Sequence, residues 1–266
     1  MSDELVHLEI AAGVGTITLD SPSNRNALSS RLTADLERQV GAALDDERVR
    51  VIVLTGAGPV FCSGADLKEQ RERNASGDAS SVLGAGATGG GLPGIFMRLW
   101  DSPKPVIGRI NGAARAGGLG LVAACDIAVS VEGATFGFSE VRLGVIPAII
   151  SVLCIRKMGE AMCMELFLTG EPFDARKAVE WGLLNAAAPA DQLDPAVAGY
   201  VANVLKGGPL ALAGAKQLVR KVPTLSLAEG FAWAAEESAR YFGSEEALEG
   251  MTAFAEKRPP AWTHRT

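Results

Sequence analysis

Histidine is nearly absent from this chain. Only His7 and His264 occur, both near the ends, which removes Ser-His-Asp, Cys-His and His-metal chemistries from consideration. Acid–base work falls to carboxylates, lysine, tyrosine or cysteine. The four cysteines, Cys62, Cys125, Cys154 and Cys163, include no CxxC pair. They read as buried, reduced thiols of a reducing compartment, and a cytoplasmic location is expected. No apolar run reaches about eighteen residues, so no membrane span is expected. The opening MSDELVHLEI lacks the basic and apolar regions of a signal peptide. Lys and Arg number 25 against 31 Asp and Glu, a net charge of −6. That balance argues against a nucleic-acid surface and leaves room for an anionic small ligand met by local basic residues. No cluster of metal ligands and no supported nucleotide motif occurs, so neither a metal nor a redox cofactor is expected. With 266 residues, 48% of them hydrophobic, the chain suffices for one large domain or one with a small appendage.

What is present centres on residues 106–144. Val106 to Ile110 reads as a short buried strand, Asn111-Gly112 as a turn, and glycines and alanines then crowd toward Gly117 and Gly118. A helix is expected from Leu119 and a further strand from Cys125 to Ser130. Such a junction brings bare backbone and a helix's unpaired N–H groups toward one space. Glu140, after a β segment at 135–138, is placed to add a carboxylate there. The same pattern also fits a helix packed tightly on a sheet with a surface Glu nearby. A second junction of this kind is GAGPVFCSGADLKE at 56–69, with Asp66 in the first turn of a helix.

Elsewhere the alternation of Leu5 to Ile10 and Thr16 to Leu19 predicts a hairpin. Ser29 or Ser30 caps a helix running to about Leu44, and Val49 to Thr55 is a strand. Residues 74–94 are small and polar, the best candidate for a mobile loop. They include GAGATG at 84–89, a GxGxxG match without the strand and helix that a dinucleotide site needs. Short helices are expected over Ile95 to Trp100, Ile150 to Met158 and Glu160 to Leu168, then an Asp174 cap and a strand from Leu184 to Ala187. Segments near 191–206, 209–220, 226–242 and 244–257 are helical. The organisation is an α/β part, 1–190, followed by a helical part, 191–266.

GAGPVFCSGADLKE (56–69), KPVIGRINGAARAGGLGLVAACDIAVS (104–130), FGFSEVRLGVIPA (136–148), LTGEPFDARKAVEWGLLN (168–185) and FAEKRPPAW (254–262) resemble, in order, segments of the enoyl-CoA hydratase/isomerase family, the crotonase superfamily. The resemblance implies a crotonase-like ββα spiral with a helical C-terminal trimerisation region, assembled as a trimer or as a hexamer of paired trimers. It implies an acyl-coenzyme A substrate, with coenzyme A entering only as part of that substrate. The thioester oxygen would sit between the N–H groups of Ala65 and Gly117, with Glu140 as acid and base. Substrate contacts are implied for Arg25, Ala27, Ser63, Asp66, Leu67, Lys68 and Lys257, the last reaching a neighbouring subunit's coenzyme A.

The chain departs from the family pattern at two positions. The three-glycine run is Ala116-Gly117-Gly118 here, and the place of a second catalytic glutamate is taken by Gly120. Hydration of a 2-enoyl-CoA is the expected activity. The flanks look like a subgroup similar to methylglutaconyl-CoA hydratases, whose substrates carry a distal carboxylate. Arg115 and Arg142 are candidates to meet it, with space left by Gly120, or else ordinary surface or interface charges. The alternatives are a Δ3,Δ2-enoyl-CoA isomerase using Glu140 alone and an acyl-CoA-binding protein without catalysis.

Overall fold

The computed structural model describes residues 4–77 and 90–264. The GxGxxG match and most of the 74–94 segment lie outside the described residues. The chain opens with the expected hairpin, β1 (Val6–Ala11) and β2 (Val14–Leu19), then α1 (Ser30–Asp45). Ser29 caps α1 by accepting from the Leu32 amide, and Leu32, Leu36 and Val40 form its buried stripe. Three ββα units follow. β3 (Val51–Gly56) and β4 (Val60–Cys62) lead to α2 (Leu67–Ala75) and α3 (Gly91–Trp100). β5 (Val106–Ile110) and β6 (Ala113–Arg115) lead to α4 (Gly117–Ala124). β7 (Ile127–Val131) and β8 (Thr135–Gly137) lead, through a single turn at Glu140–Leu143, to α5 (Ala148–Met158).

The first strand of each unit joins one sheet and the second strand joins another. The large sheet runs β1-β2-β3-β5-β7-β10, where β10 is Ala186–Ala188. The small sheet runs β9-β8-β6-β4, where β9 is Phe173–Asp174. Pairing between successive units is parallel in both, with Ile52 opposite Val106, Ile107 opposite Ile127, and Ala114 opposite Phe136. This is the expected spiral.

Side-chain alternation explains why the large sheet is apolar on both faces. Ile52, Leu54, Val106, Ile110 and Ala128 face the main core with α1, α3 and α4. Val51, Val53, Ile107 and Val129 face a second core closed by Leu193 and Val197 of α8 (Leu193–Leu205).

The remaining helices are α6 (Glu160–Thr169), α7 (Ala175–Glu180, capped by Asp174 as expected), α9 (Pro209–Lys221), α10 (Leu227–Phe242) and α11 (Glu245–Ala255). Two ionic ties hold the late helices to the foot of the large sheet. The Asp126 carboxylate accepts from the Val106 amide and from Lys216 and Arg220 of α9, each side chain at 2.6 Å. Arg220 also lies 4.1 Å over the Trp100 ring. Arg50 donates to the carbonyls of Leu205, Gly207 and Trp262. Among the described residues no helix is long and apolar enough to cross a membrane.

Two local expectations are corrected. The helix expected from Leu119 begins at Gly117, because Gly118 lies against the Cys62 carbonyl and the turn tightens directly into helix. The stretch before it, taken as turn, forms the short strand β6, since its backbone pairs with both β4 and β8.

Candidate active site

The three parallel strands β4, β6 and β8 end side by side. Chain leaving the carboxyl ends of such strands is where α/β proteins gather ligand contacts. Ala65 follows β4, Gly117 follows β6 and Glu140 follows β8. The Ala116 N–H donates to the Gly137 carbonyl at 3.3 Å, so the second and third junctions touch. Gly64, at φ +88, touches the second junction: a Cβ there would lie 2.8 Å from the Ala116 Cβ and 2.9 Å from the Arg115 carbonyl. Only glycine permits both that backbone and that approach.

Ala65 bridges Leu28 in parallel fashion. The bonds of that bridge run from Leu28 N to Gly64 O at 2.7 Å and from Asp66 N to Leu28 O at 3.4 Å. The Ala65 N–H therefore points away from Leu28, and among the described residues it has no acceptor. Gly117 is the first residue of α4 and its N–H has no partner within the helix. Ala116 before it holds φ 45, ψ −119, a conformation that costs an alanine about 1–3 kcal/mol and aims the following amide. Two backbone N–H groups thus stand without acceptors among the described residues at two adjoining junctions, and Glu140 follows the third.

Glu140 is 9% exposed and its Oε2 has no hydrogen-bond partner among the described residues. Burial pushes its carboxyl above the usual 4.5, opposed by its own backbone amide. The chain just before Glu140 packs into an aromatic cluster. Phe138, two residues earlier, meets Phe167 edge-on at 4.7 Å and Phe173 at 6.2 Å. The buried Cys154 feels the Glu140 charge; its thiol is pushed far up by burial first, then by Cys163 and Glu140. Cys62 is likewise pushed up to about 12 by burial, so these thiols are poor nucleophiles.

The segment 25–28 lies along the first junction. Ser63 N donates to Arg25 O at 3.1 Å. Asn26, fully buried, clamps the segment by donating to the carbonyls of Ala57, Val60 and Phe61 and accepting from Ser21 N. Arg25, Ala27, Ser63, Asp66, Leu67 and Lys68 are thus brought together beside Ala65. Asp66 is the N-cap of α2, its carboxylate accepting from the Lys68 and Glu69 amides. Lys257 follows α11, with φ 54 and its N–H on Phe254 O, away from this cluster in the chain.

The arginines named for a distal carboxylate are engaged elsewhere. Arg142 pairs with Glu171 and the Thr169 carbonyl. Arg115 bonds the Thr135 carbonyl and hydroxyl. The space expected at Gly120 is also absent. A Cβ there would fall 2.2 Å from Phe96 Cζ and 2.8 Å from Ile150 Cγ2, because α3 lays its ring across α4. Phe96 and Ile150 carry no motif, and the sequence places each only within a short expected helix.

A family model described as enoyl-CoA hydratase/isomerase matches residues 9–265. The carnitinyl-CoA dehydratase of Proteus mirabilis (strain HI4320) is 35% identical, with the alignment covering the whole of both chains. The 2,3-dehydroadipyl-CoA hydratase of Escherichia coli (strain K12) is 31% identical over 94% of each chain. The crystal structure of an enoyl-CoA hydratase from Shewanella pealeana ATCC 700345 superposes with a TM-score of 0.88 at 31% identity, covering 97% of this chain and 96% of that one.

Proposed function

Since the chain belongs to the enoyl-CoA hydratase/isomerase family, we propose that it adds water reversibly to a 2-enoyl-CoA thioester, with Glu140 as the acid–base group. The observation that carries this reading is the buried Oε2 of Glu140, without a partner among the described residues, on the junction that adjoins those of Ala65 and Gly117. Water attacks the β-carbon while its proton passes to the Glu140 carboxylate. The π electrons move toward the carbonyl, and the enolate oxygen rests between the two amides. Glu140 then gives the proton to the α-carbon, completing addition of H and OH. Two fixed donors on the developing oxyanion are worth several kcal/mol of barrier, about 2.7–4 for one such donor. A carboxyl raised by burial suits a group that both takes and returns a proton. The names of the Proteus and Escherichia relatives, a dehydratase and a hydratase of acyl-CoA esters, support the same chemistry.

A second reading is favoured by one observation: Phe96 fills the space in front of Gly120, leaving a single carboxylate. Moving a double bond from the 3 to the 2 position needs only one base, to take a proton from the α-carbon and return it to the γ-carbon. Purified protein given crotonyl-CoA should consume the enoyl absorbance, and given 3-hexenoyl-CoA should produce none. The reverse result replaces hydration by isomerisation. Glu140→Gln should lower kcat by about 100-fold or more with acyl-CoA binding retained. Binding by a wild type inert toward both esters, and toward carboxylate-bearing branched enoyl-CoAs, would make this an acyl-CoA-binding protein.

The adenine end of the substrate is assigned to the backbone at Arg25 and Ala27, and its phosphates to Lys68 and, from a neighbouring subunit, Lys257. That assignment rests on a homotrimer, singly or paired into a hexamer. The apolar side chains left exposed on α9–α11, Val219, Leu227, Phe231 and Phe254 among them, support it. Four free buried thiols are in keeping with a cytoplasmic location.

A further inference from the structure

Gly120 stands one turn inside α4, the helix that begins with the Gly117 donor. Its α-carbon is covered by two side chains from different elements. Besides the approach to Cζ, a Cβ would lie 2.6 Å from Phe96 Cε2. Phe96 is 4% exposed and Ile150 is 3% exposed, so neither has solvent to retreat into. Ile150 lies one turn before Cys154 on α5, and Cys154 is the group that senses the Glu140 charge. Ile150 and Cys154 share one face of α5, and the Phe96 ring closes the wall between α3 and α4 over Gly120. Every side chain named on this wall is hydrocarbon or thiol.

Resting on the reading above, we infer that Phe96 is a specificity-determining residue. It occupies the volume a side chain at position 120 would need and so fixes the site at one carboxylate. Phe96 acts by exclusion, and the reciprocal sizes at positions 96 and 120 form the device. A large ring and no side chain are one solution; a smaller residue at 96 and a glutamate at 120 are the other.

The test is a double-mutant cycle on the full chain with Gly120→Glu, Phe96→Ala and the pair, read by thermal unfolding and by turnover of crotonyl-CoA and 3-hexenoyl-CoA. Gly120→Glu alone should lose about 5 °C or more in Tm, since a clash in a full core costs several kcal/mol at about 2–4 °C each. The pair should regain at least half of that loss relative to additive singles. Its kcat for hydration should exceed that of Phe96→Ala by about tenfold or more, as a new proton-transfer group supplies, with KM changed far less. Additive losses in Tm overturn the packing device, and an unchanged ratio of hydration to isomerisation overturns its role in specificity. If Gly120→Glu does not fold, Gly120→Ala in the Phe96 and Phe96→Leu backgrounds runs the same cycle. Equal tolerance of the Cβ in both backgrounds overturns the pair. Failure of the hydration reading itself is distinguishable, because it silences wild type on crotonyl-CoA while the Tm cycle still reads the pair.

Discussion

The two junctions that supply the amide donors share a backbone plan and differ in everything around it. The first feeds α2, LKEQRERNA, which buries no residue. It is held by polar contacts: Asp66 caps it, and Glu69 accepts from the Ser30 amide at 2.9 Å. The second feeds α4, GGLGLVAA, in which every residue is buried. Hydrophobic packing fixes α4, whereas exposed hydrogen bonds of modest net worth fix α2. One donor is therefore carried by the rigid core and the other by an element able to open locally at low cost. In the proposed reading, the oxyanion site has a fixed half on α4 and a yielding half beside segment 25–28.

The contact between the halves is the place to break that arrangement most severely. Gly64→Ala puts a Cβ into Ala116 and demands a left-handed alanine, spoiling both donors together. A fall in kcat of about 100- to 1,000-fold is expected, with a Tm loss of several degrees, about 2–4 °C per kcal/mol. An effect on stability alone would mean that the junctions are independent.

The buried half carries the next largest effect. Glu140 has a carboxyl raised above 4.5 by burial, so between the unfolded and folded values the folded state holds the proton that the unfolded state has lost. Wild-type stability therefore falls as pH rises through that window and stays reduced above it. Glu140→Gln, which cannot ionise, should melt about 2 °C or more above wild type at pH 8, with the gap closing near pH 4. Calorimetry across that range decides it.

The exposed half should respond more mildly. Asp66→Ala removes the cap of α2 at a cost of about 1 kcal/mol, equivalent to about fivefold in kcat/KM at most. Amide exchange should quicken in α2 and stay unchanged in α4. Faster exchange in both would erase the contrast. The smallest change is expected for Ala116→Gly, where relief of the positive φ is offset by the freedom glycine adds to the unfolded chain. A Tm within about 2 °C of wild type and an unaltered rate would mark the strain as tolerated rather than needed.

Much of this plan is legible in the residues. Alternation at Leu5–Ile10 and Thr16–Leu19, the Ser29 and Asp174 caps and the last four helices match the fold because each is a local signal: period, cap or breaker. The fold's resemblance to a known family was carried by glycine turns, whose geometry leaves few residue choices. Three-residue strands such as β6 escaped because so short a segment has no period to read; long-range pairing alone makes it a strand. The emptiness inferred at Gly120 failed for a related reason. A glycine reveals its own lack of a side chain, while the neighbour that claims the vacated volume, Phe96, lies a turn and a sheet away in sequence. The raised carboxyl of Glu140 is likewise a product of burial, which only the folded chain creates.

Asp126 has a consequence for synthesis. It sits at the head of β7, yet Lys216 and Arg220, which neutralise it, are translated about ninety residues later. At about 5–20 residues per second, the nascent spiral waits on the order of 5–20 s with that carboxylate lacking its two α9 cations. During that interval the first three ββα units exist without the clasp at their base. The order of the genetic message thus delays the closing of the large sheet's foot until α9 has emerged, and a ribosome stalled between Glu140 and α9 leaves a chain that holds Ala65, Gly117 and Glu140 but lacks the lock beneath them.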